Sequence, residues 1–167
     1  MIRLVICDVD GTLTDGGIYY GTDGLEIKKF NARDAAGIFA CQTLGIDCMI
    51  LTGRHSEAVE RRGKELRFSS VIQGVKDKAS WLSAYMAEQG LRKEDILYIG
   101  DDLNDLSAMK LCGLVGCPSG AVAEVLSRAD FVATHDGGHG AVRDVLFAYL
   151  KREGLYEQAI AKAFHLQ

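Results

Sequence analysis

Six short apolar segments recur along the chain, and polar residues or glycines follow most of them. They are Leu4 to Cys7, Cys48 to Leu51, Ser70 to Ile72, Ile96 to Ile99, Leu114 to Gly116 and Phe131 to Ala133. Strands that are buried on both faces of a parallel sheet produce continuous apolar runs of this kind. The pattern therefore predicts six strands of a parallel sheet.

Segments with apolar residues at helical spacing separate most of these strands, and two more follow the last one. They are Ala35 to Leu44, Glu57 to Leu66, Lys78 to Gln89, Asn104 to Leu111, Ala121 to Ser127, Ala141 to Leu150 and Tyr156 to Phe164. Gly45 and Gly90 lie where helix C-caps are expected. The alternation predicts an α/β fold with a doubly wound, mostly parallel Rossmann-like sheet in the strand order 3-2-1-4-5-6.

One segment, Thr14 to Phe30, departs from this alternation. Its two halves, Ile18 to Tyr20 and Leu25 to Phe30, flank the turn residues Gly21-Thr22-Asp23-Gly24. This arrangement is typical of a β-hairpin. We expect the hairpin to form a flap after the first strand, beside the loop that contains Asp8.

The composition indicates a globular protein with one domain, residues 1–167. The chain has 48% hydrophobic and 25% charged residues, which excludes a disordered or membrane class. Its net charge of −4 argues against nucleic-acid binding, which requires a basic patch. The sequence predicts no membrane association and a cytoplasmic location. The five cysteines lie mostly in apolar runs and are expected to be reduced core thiols.

Acidic residues follow the first and fourth predicted strands. Asp8 and Asp10 follow the first, and Asp101, Asp102 and Asp105 follow the fourth. These strands are neighbours at the switch point of a doubly wound sheet, so their carboxyl ends flank one crevice. Two unit charges about 4 Å apart repel by roughly 4 kcal/mol at an effective dielectric of about 20. A hard cation such as Mg²⁺ compensates such a cluster; the alternatives are ordinary turn and N-cap roles.

Four ordered segments carry a more specific signal. They are Asp8-Val9-Asp10-Gly11-Thr12, Thr52-Gly53-Arg54, Lys78 within Val75-Lys76-Asp77-Lys78, and Gly100-Asp101-Asp102-Leu103-Asn104-Asp105. Together they resemble the motifs of the haloacid dehalogenase phosphatase superfamily. The resemblance implies that Asp8 forms an aspartyl-phosphate and that Asp10 protonates the leaving alcohol and then activates water.

The same resemblance implies the remaining roles. Thr52 and backbone N–H groups, which Gly11 and Gly53 leave accessible, would hold the phosphoryl oxygens, and Lys78 would offset negative charge. Mg²⁺ would bind the Asp8 carboxylate, the Asp10 carbonyl and Asp101. Two further carboxylates would position these ligands from behind, namely Asp102 and Asp105.

The sequence leaves no room for a cap domain. Only the hairpin and one helix lie between the first two motifs, and only a helix and a short strand lie before the third. A capless chain of this size resembles the phosphatases of 3-deoxy-D-manno-octulosonate 8-phosphate (KDO 8-phosphate). This narrower resemblance rests also on Asp15-Gly16, Phe30 to Asp34, Gln73-Gly74 and Gly137 to Arg143. It implies a homotetramer in which neighbouring subunits cover the site.

Arg54 is the principal candidate for substrate selection. An Arg after the Thr-Gly pair resembles the eight-carbon group, whereas a Glu is typical of phosphatases for nine-carbon keto-deoxy sugar acids. A guanidinium binds a sugar-acid carboxylate in a bidentate fashion. Further candidates for substrate contacts are Arg33, His139 and Arg143, with surface ion pairs as the alternative for the arginines. His139 departs from the family pattern, and His135 has no evident catalytic partner.

Three functions remain open at this point. The first is Mg²⁺-dependent hydrolysis of KDO 8-phosphate, and the second is hydrolysis of a nine-carbon sugar acid 9-phosphate. The third is a non-catalytic phospho-receiver domain, which also uses an acidic strand end, Mg²⁺, a Thr and a Lys. Asp10 favours hydrolysis, because an acid/base group is not needed in a long-lived phospho-aspartate switch.

Overall fold

The computed structural model describes residues 1–166, which form a three-layer α/β domain. Its strands are β1 (Leu4–Cys7), β2 (Tyr19–Tyr20), β3 (Glu26–Ile27), β4 (Asp47–Leu51), β5 (Ser70–Ile72), β6 (Ile96–Ile99), β7 (Leu114–Cys117) and β8 (Phe131–Val132). Its helices are α1 (Asp34–Thr43), α2 (Glu57–Glu65), α3 (Lys78–Gln89), α4 (Leu106–Met109), α5 (Ala123–Leu126), α6 (Ala141–Arg152) and α7 (Tyr156–Phe164).

Six of these strands form the central sheet in the order β5-β4-β1-β6-β7-β8. Every neighbouring pair is parallel. When only these six strands are numbered along the chain, the order is 3-2-1-4-5-6, which confirms the prediction. The strand β1 therefore lies in the middle of the sheet, between β4 and β6.

Helices cover both faces of the sheet. In β1, Val5 and Cys7 face a core shared with α1, α6 and α7. Leu4 and Ile6 point the other way, into a second core with α3, α4 and α5. Alternate residues of a strand point to opposite faces, so both faces of β1 are buried and the strand is apolar throughout. The five cysteines are buried and free, as expected.

The hairpin is present, but its strands are shorter than predicted. Only Tyr19 and Tyr20 pair with Ile27 and Glu26, and Thr14 and Phe30 form an isolated bridge at the base. The ladder ends at Ile27, and the next side chain, Lys28, points towards Asp10. The described residues contain no cap domain, and none of their helices is long and apolar enough to cross a membrane.

Candidate active site

The predicted nucleophile Asp8 lies at the carboxyl end of β1, beside β6. Its N–H donates to the Ile99 carbonyl at 2.9 Å. The chain then makes a tight turn over Val9–Leu13, in which Gly11 has φ = +90°. A Cβ on Gly11 would lie 2.1 Å from Asp101 Oδ2. Glycine is therefore what lets the ends of β1 and β6 approach this closely.

Three carboxylates converge at this edge of the sheet. Asp8, Asp101 and Asp105 each place an oxygen within 4.8 Å of the others. Burial and the charge of Asp105 raise the pKa of Asp8 to about 6, although Lys78 opposes the shift. Burial also raises the pKa of Asp101 to about 7, against a hydrogen bond from Thr12. The protein alone leaves negative charge here uncompensated, and the all-oxygen donor set fits a hard cation such as Mg²⁺.

Lys78 begins α3 and supplies the buried positive charge of the site. Its side chain is 1% exposed, and Nζ donates to Asp8 Oδ1 at 2.8 Å and to Asp105 Oδ1 at 2.7 Å. Burial by itself lowers the pKa of Lys78, but the charges of Asp8 and Asp105 outweigh this effect and raise it. Lys78 is therefore a buried, paired charge and not a solvated residue of a helix surface.

Asp105 has no oxygen left free. Oδ1 accepts from Lys78 and from the Tyr98 hydroxyl at 2.7 Å, and Oδ2 accepts from the N–H groups of Asp101 and Asp102. These contacts fix the loop after β6 behind the site. Sequence reasoning missed Tyr98, although a tyrosine within a fully buried strand is a usable signal because its hydroxyl needs a partner.

Thr12 orients Asp101. Its hydroxyl donates to Asp101 Oδ1 at 2.8 Å, and the residue is fully buried. Thr12 is the last residue of the motif that begins at Asp8, and its sequence position alone predicts no role. Its contact shows how the turn after β1 fixes a carboxylate that follows β6.

A second charged network joins Asp10 to the hairpin. Lys28 Nζ lies 2.5 Å from Asp10 Oδ1 and 3.0 Å from Glu26 Oε1. Arg54, from the loop after β4, lies 3.0 Å from Glu26 Oε2 and 4.0 Å from Asp10 Oδ2. Two cations, Lys28 and Arg54, thus alternate with two anions, Glu26 and the predicted acid/base residue Asp10. Neither Lys28 nor Glu26 was singled out from the sequence, where they look like the ordinary polar face of a hairpin.

A cleft of about 150 Å³ opens at this edge of the sheet. It is lined by Asp8, Asp10, Thr52, Gly53, Arg54, Asp102 and Asn104. Thr52 is buried at the end of β4, where its N–H donates to the Ile72 carbonyl at 3.0 Å. Asp102 is exposed at the rim. The structure therefore brings the predicted phosphate-binding residues beside Asp8 and Asp10.

Three predicted substrate residues do not line this cleft. Arg33 is exposed next to the start of α1. His139 is exposed, with Nε2 3.1 Å from Lys29 Nζ, and the Arg143 guanidinium lies over the Phe147 ring at 5.9 Å. Their roles towards substrate stay predictions.

His135 has a carboxylate partner that its sequence spacing did not reveal. Its Nδ1 lies 2.8 Å from Asp144 Oδ2, a carboxylate nine residues later in α6. The same oxygen accepts the N–H groups of Thr134 and His135. Asp144 therefore fixes the start of the loop after β8, and the pair lies outside the lining of the cleft.

The glycine-rich loop after β8 supports the nucleophile turn from behind. A Cβ on Gly137 would lie 2.0 Å from the Gly11 carbonyl oxygen. The loop thus packs directly against the backbone of the Asp8 turn. This contact requires glycine at position 137, and Gly138 is required separately, because it has φ = +72° and a Cβ there would lie 2.4 Å from the Asp15 backbone nitrogen.

Comparisons with known proteins agree with this geometry. A sequence profile of haloacid dehalogenase-like hydrolases matches residues 68–146. The 3-deoxy-D-manno-octulosonate 8-phosphate phosphatase of Escherichia coli K12 is 39% identical over 158 residues, which cover 95% of this chain and 84% of that protein.

Two solved structures extend the likeness to three dimensions. The KDO 8-phosphate phosphatase of Moraxella catarrhalis, in complex with magnesium, phosphate and KDO, has a TM-score of 0.91 at 38% identity, over 96% of this chain and 92% of that one. The cobalt-bound Haemophilus influenzae phosphatase has a TM-score of 0.89 at 34% identity, over 98% and 96% of the two chains.

The fold and the carboxylate site define a haloacid dehalogenase-like hydrolase without a cap domain. The 39% sequence identity over 95% of the chain assigns it to one family within this class. The chain belongs to the 3-deoxy-D-manno-octulosonate 8-phosphate phosphatase family and is a phosphoric monoester hydrolase.

Proposed function

We propose that this protein hydrolyses KDO 8-phosphate to KDO and inorganic phosphate, with Mg²⁺ as cofactor. The observation that carries the proposal is the position of the Asp8 carboxylate. It lines a cleft, is paired with a buried lysine and is clustered with Asp101. The likeness to phosphatases named for KDO 8-phosphate supports the substrate.

Asp8 acts as the nucleophile and Asp10 as the acid/base. An Asp8 oxygen attacks phosphorus, the bond from phosphorus to the ester oxygen breaks, and the leaving oxygen takes a proton from Asp10. Water then attacks the aspartyl-phosphate while the Asp10 carboxylate takes its proton. The second step releases phosphate and restores both side chains. Thr52 and Lys78 stabilise the phosphoryl charge.

The residues that would hold Mg²⁺ are the Asp8 and Asp101 carboxylates and the Asp10 carbonyl. Asp105 belongs to the carboxylate cluster, but both of its oxygens already accept hydrogen bonds. It therefore positions the loop together with Asp102. A bound Mg²⁺ would supply positive charge that offsets the negative charges of the nucleophile and the phosphate.

Arg54 is the residue that recognises the sugar-acid carboxylate. Its side chain is 40% exposed at the cleft and pairs with Glu26, so a substrate carboxylate shares the guanidinium with Glu26 or displaces it. Gly53 keeps the neighbouring backbone accessible. Arg33, His139 and Arg143 lie outside the lining of the cleft, and contacts from them to substrate stay predictions.

The active form is a homotetramer of a cytoplasmic enzyme. The hairpin exposes a run of large apolar residues, namely Ile18, Tyr19, Tyr20, Leu25 and Ile27. A second subunit that buries this surface also covers an otherwise open cleft. Five buried free cysteines fit a reducing compartment.

The test is release of phosphate from KDO 8-phosphate, followed with and without Mg²⁺. The wild-type protein should release phosphate only when the metal is present. Asp8→Asn should abolish release, and acid-quenched wild-type enzyme should carry one phosphoryl group on the peptide that contains Asp8. Undiminished release by Asp8→Asn would overturn the proposal.

A further inference from the structure

The strand β3 and the residues beside it alternate strictly between the site and the outside. Glu26 and Lys28 point inward, towards Asp10 and Arg54. Leu25 and Ile27 point outward and are 55% and 51% exposed. Side chains of an extended chain alternate in this way between its two sides. One side of the hairpin strand therefore contacts the acid/base residue, and the other side forms part of the outer surface.

Lys28 is the most deeply buried cation of this network. Its side chain is 0% exposed, and a buried ammonium is stable only when anions compensate it. Asp10 and Glu26 supply that compensation at 2.5 Å and 3.0 Å. Among the described residues, the ion pairs of Lys28 are with Asp10 and Glu26. The pairing of two hairpin strands does not by itself require a lysine that points inward.

We propose that Lys28 is a positioning residue for Asp10 and fixes which oxygen of that carboxylate exchanges protons with substrate. Its ammonium holds Oδ1. Oδ2 lies 4.0 Å from Arg54 Nε, on the side of a residue that lines the cleft, and it is the oxygen left for the leaving group and water. The proposal rests on the acid/base role of Asp10 in the proposed function. It predicts that the contact between Lys28 of the hairpin and Asp10 controls proton transfer.

The contrast between two leaving groups tests this role. The KDO alkoxide needs a proton as it leaves, whereas p-nitrophenolate leaves readily as an anion. In the first turnover, Lys28→Met should slow KDO release from KDO 8-phosphate by about 10- to 100-fold. First-turnover p-nitrophenol release from p-nitrophenyl phosphate should stay within about threefold of wild type, because it does not depend on the acid.

A double-mutant cycle separates positioning from general support of the fold. In the Asp10→Asn background, Lys28→Met should cause no further loss with KDO 8-phosphate, because it acts only through Asp10. The double variant also removes both charges of the pair and leaves no unpaired carboxylate at position 10. Lys110→Met, an exposed lysine at the end of α4, is the matched control and should behave as wild type.

Two results would overturn the role of Lys28. One is an equal loss with both substrates in Lys28→Met, and the other is a full additional loss when Lys28→Met is added to Asp10→Asn. If wild-type enzyme itself released no phosphate in Mg²⁺, the proposed function would fail and this role with it. That outcome is distinct, because the first two require an active wild type.

Discussion

Replacing Gly11 with alanine tests how closely the ends of β1 and β6 must approach. The Cβ of Gly11→Ala would lie 2.1 Å from Asp101 Oδ2 and 2.7 Å from its Cγ, while ordinary van der Waals contacts begin at 3.4 Å. Either the Asp101 carboxylate or the Asp8 turn has to move. The hydrogen bond from Thr12 to Asp101 would break or stretch in both cases.

The size of the effect follows from this displacement. Moving from 2.1 Å to an ordinary contact requires a shift of about 1 Å, and a misplacement of this size costs roughly 100-fold in rate. The left-handed backbone at φ = +90° adds about 1–2 kcal/mol of strain for alanine. A 100-fold loss of rate corresponds to about 2.7 kcal/mol of transition-state free energy, which is more than the backbone strain alone.

The assay compares kcat for KDO 8-phosphate, the Mg²⁺ dissociation constant from calorimetry and the urea midpoint. Gly45→Ala is the matched control, because Gly45 also has a positive φ of +77° but a Cβ there meets nothing within 4 Å. Both variants should lose similar stability from backbone strain, and only Gly11→Ala should lose activity and metal affinity. If Gly11→Ala matched Gly45→Ala in all three measurements, the close approach would have no part in assembling the site.

Three further predictions concern charge and assembly. Lys78→Met leaves two buried carboxylates without their cation, so we expect a loss of about 3–5 kcal/mol in unfolding free energy together with loss of turnover. Adding Asp105→Asn should recover only part of the lost stability, because Asp8 stays unpaired, and no turnover; restored turnover would contradict the role of Lys78. Burial raises the pKa of Asp101 from 3.8 to about 7, so folding favours the protonated carboxyl group. With the metal removed by EDTA, the stability of wild type relative to Asp101→Asn should therefore be greatest below pH 4. It should fall by roughly 2–4 kcal/mol as the pH rises through about 7. Urea titrations at several pH values measure this difference, and a rise over that interval would refute it. Leu25→Ser combined with Ile27→Ser should reduce the mass of the oligomer in light scattering without changing the circular dichroism spectrum, and a wild-type monomer would contradict the tetramer.

The sheet could be predicted because its strands carry a simple signal. Residues such as Val5 and Ile6 face opposite cores, so a central parallel strand is apolar at every position. The helix over Lys78–Gln89 was predicted with its observed bounds. The predicted helix over Asn104 to Leu111 is too long. Asp105 and Asp102 accept from the N–H groups of Asp101 and Leu103, a 3-10 turn spans Leu103–Asp105, and the α-helix spans only Leu106–Met109.

Some residues of the site could be predicted from the ends of strands, and others could not. Asp8 and Asp101 follow strands that a doubly wound order makes neighbours, so their proximity was predictable. Lys28 and Tyr98 reach the site from positions that look like an ordinary hairpin and an ordinary core strand. Their roles depend on side-chain directions in the folded protein, which local patterns do not carry.

The specificity constant for KDO 8-phosphate, measured beside those for a nine-carbon keto-deoxy sugar acid 9-phosphate and for glucose 6-phosphate, tests the central claim most directly. In Mg²⁺, we expect kcat/KM to be highest for KDO 8-phosphate and at least about 100-fold above that for the hexose phosphate, since only a sugar acid offers Arg54 a carboxylate. EDTA should abolish all three activities. Equal cleavage of glucose 6-phosphate, or a preference for the nine-carbon substrate, would contradict the proposed function.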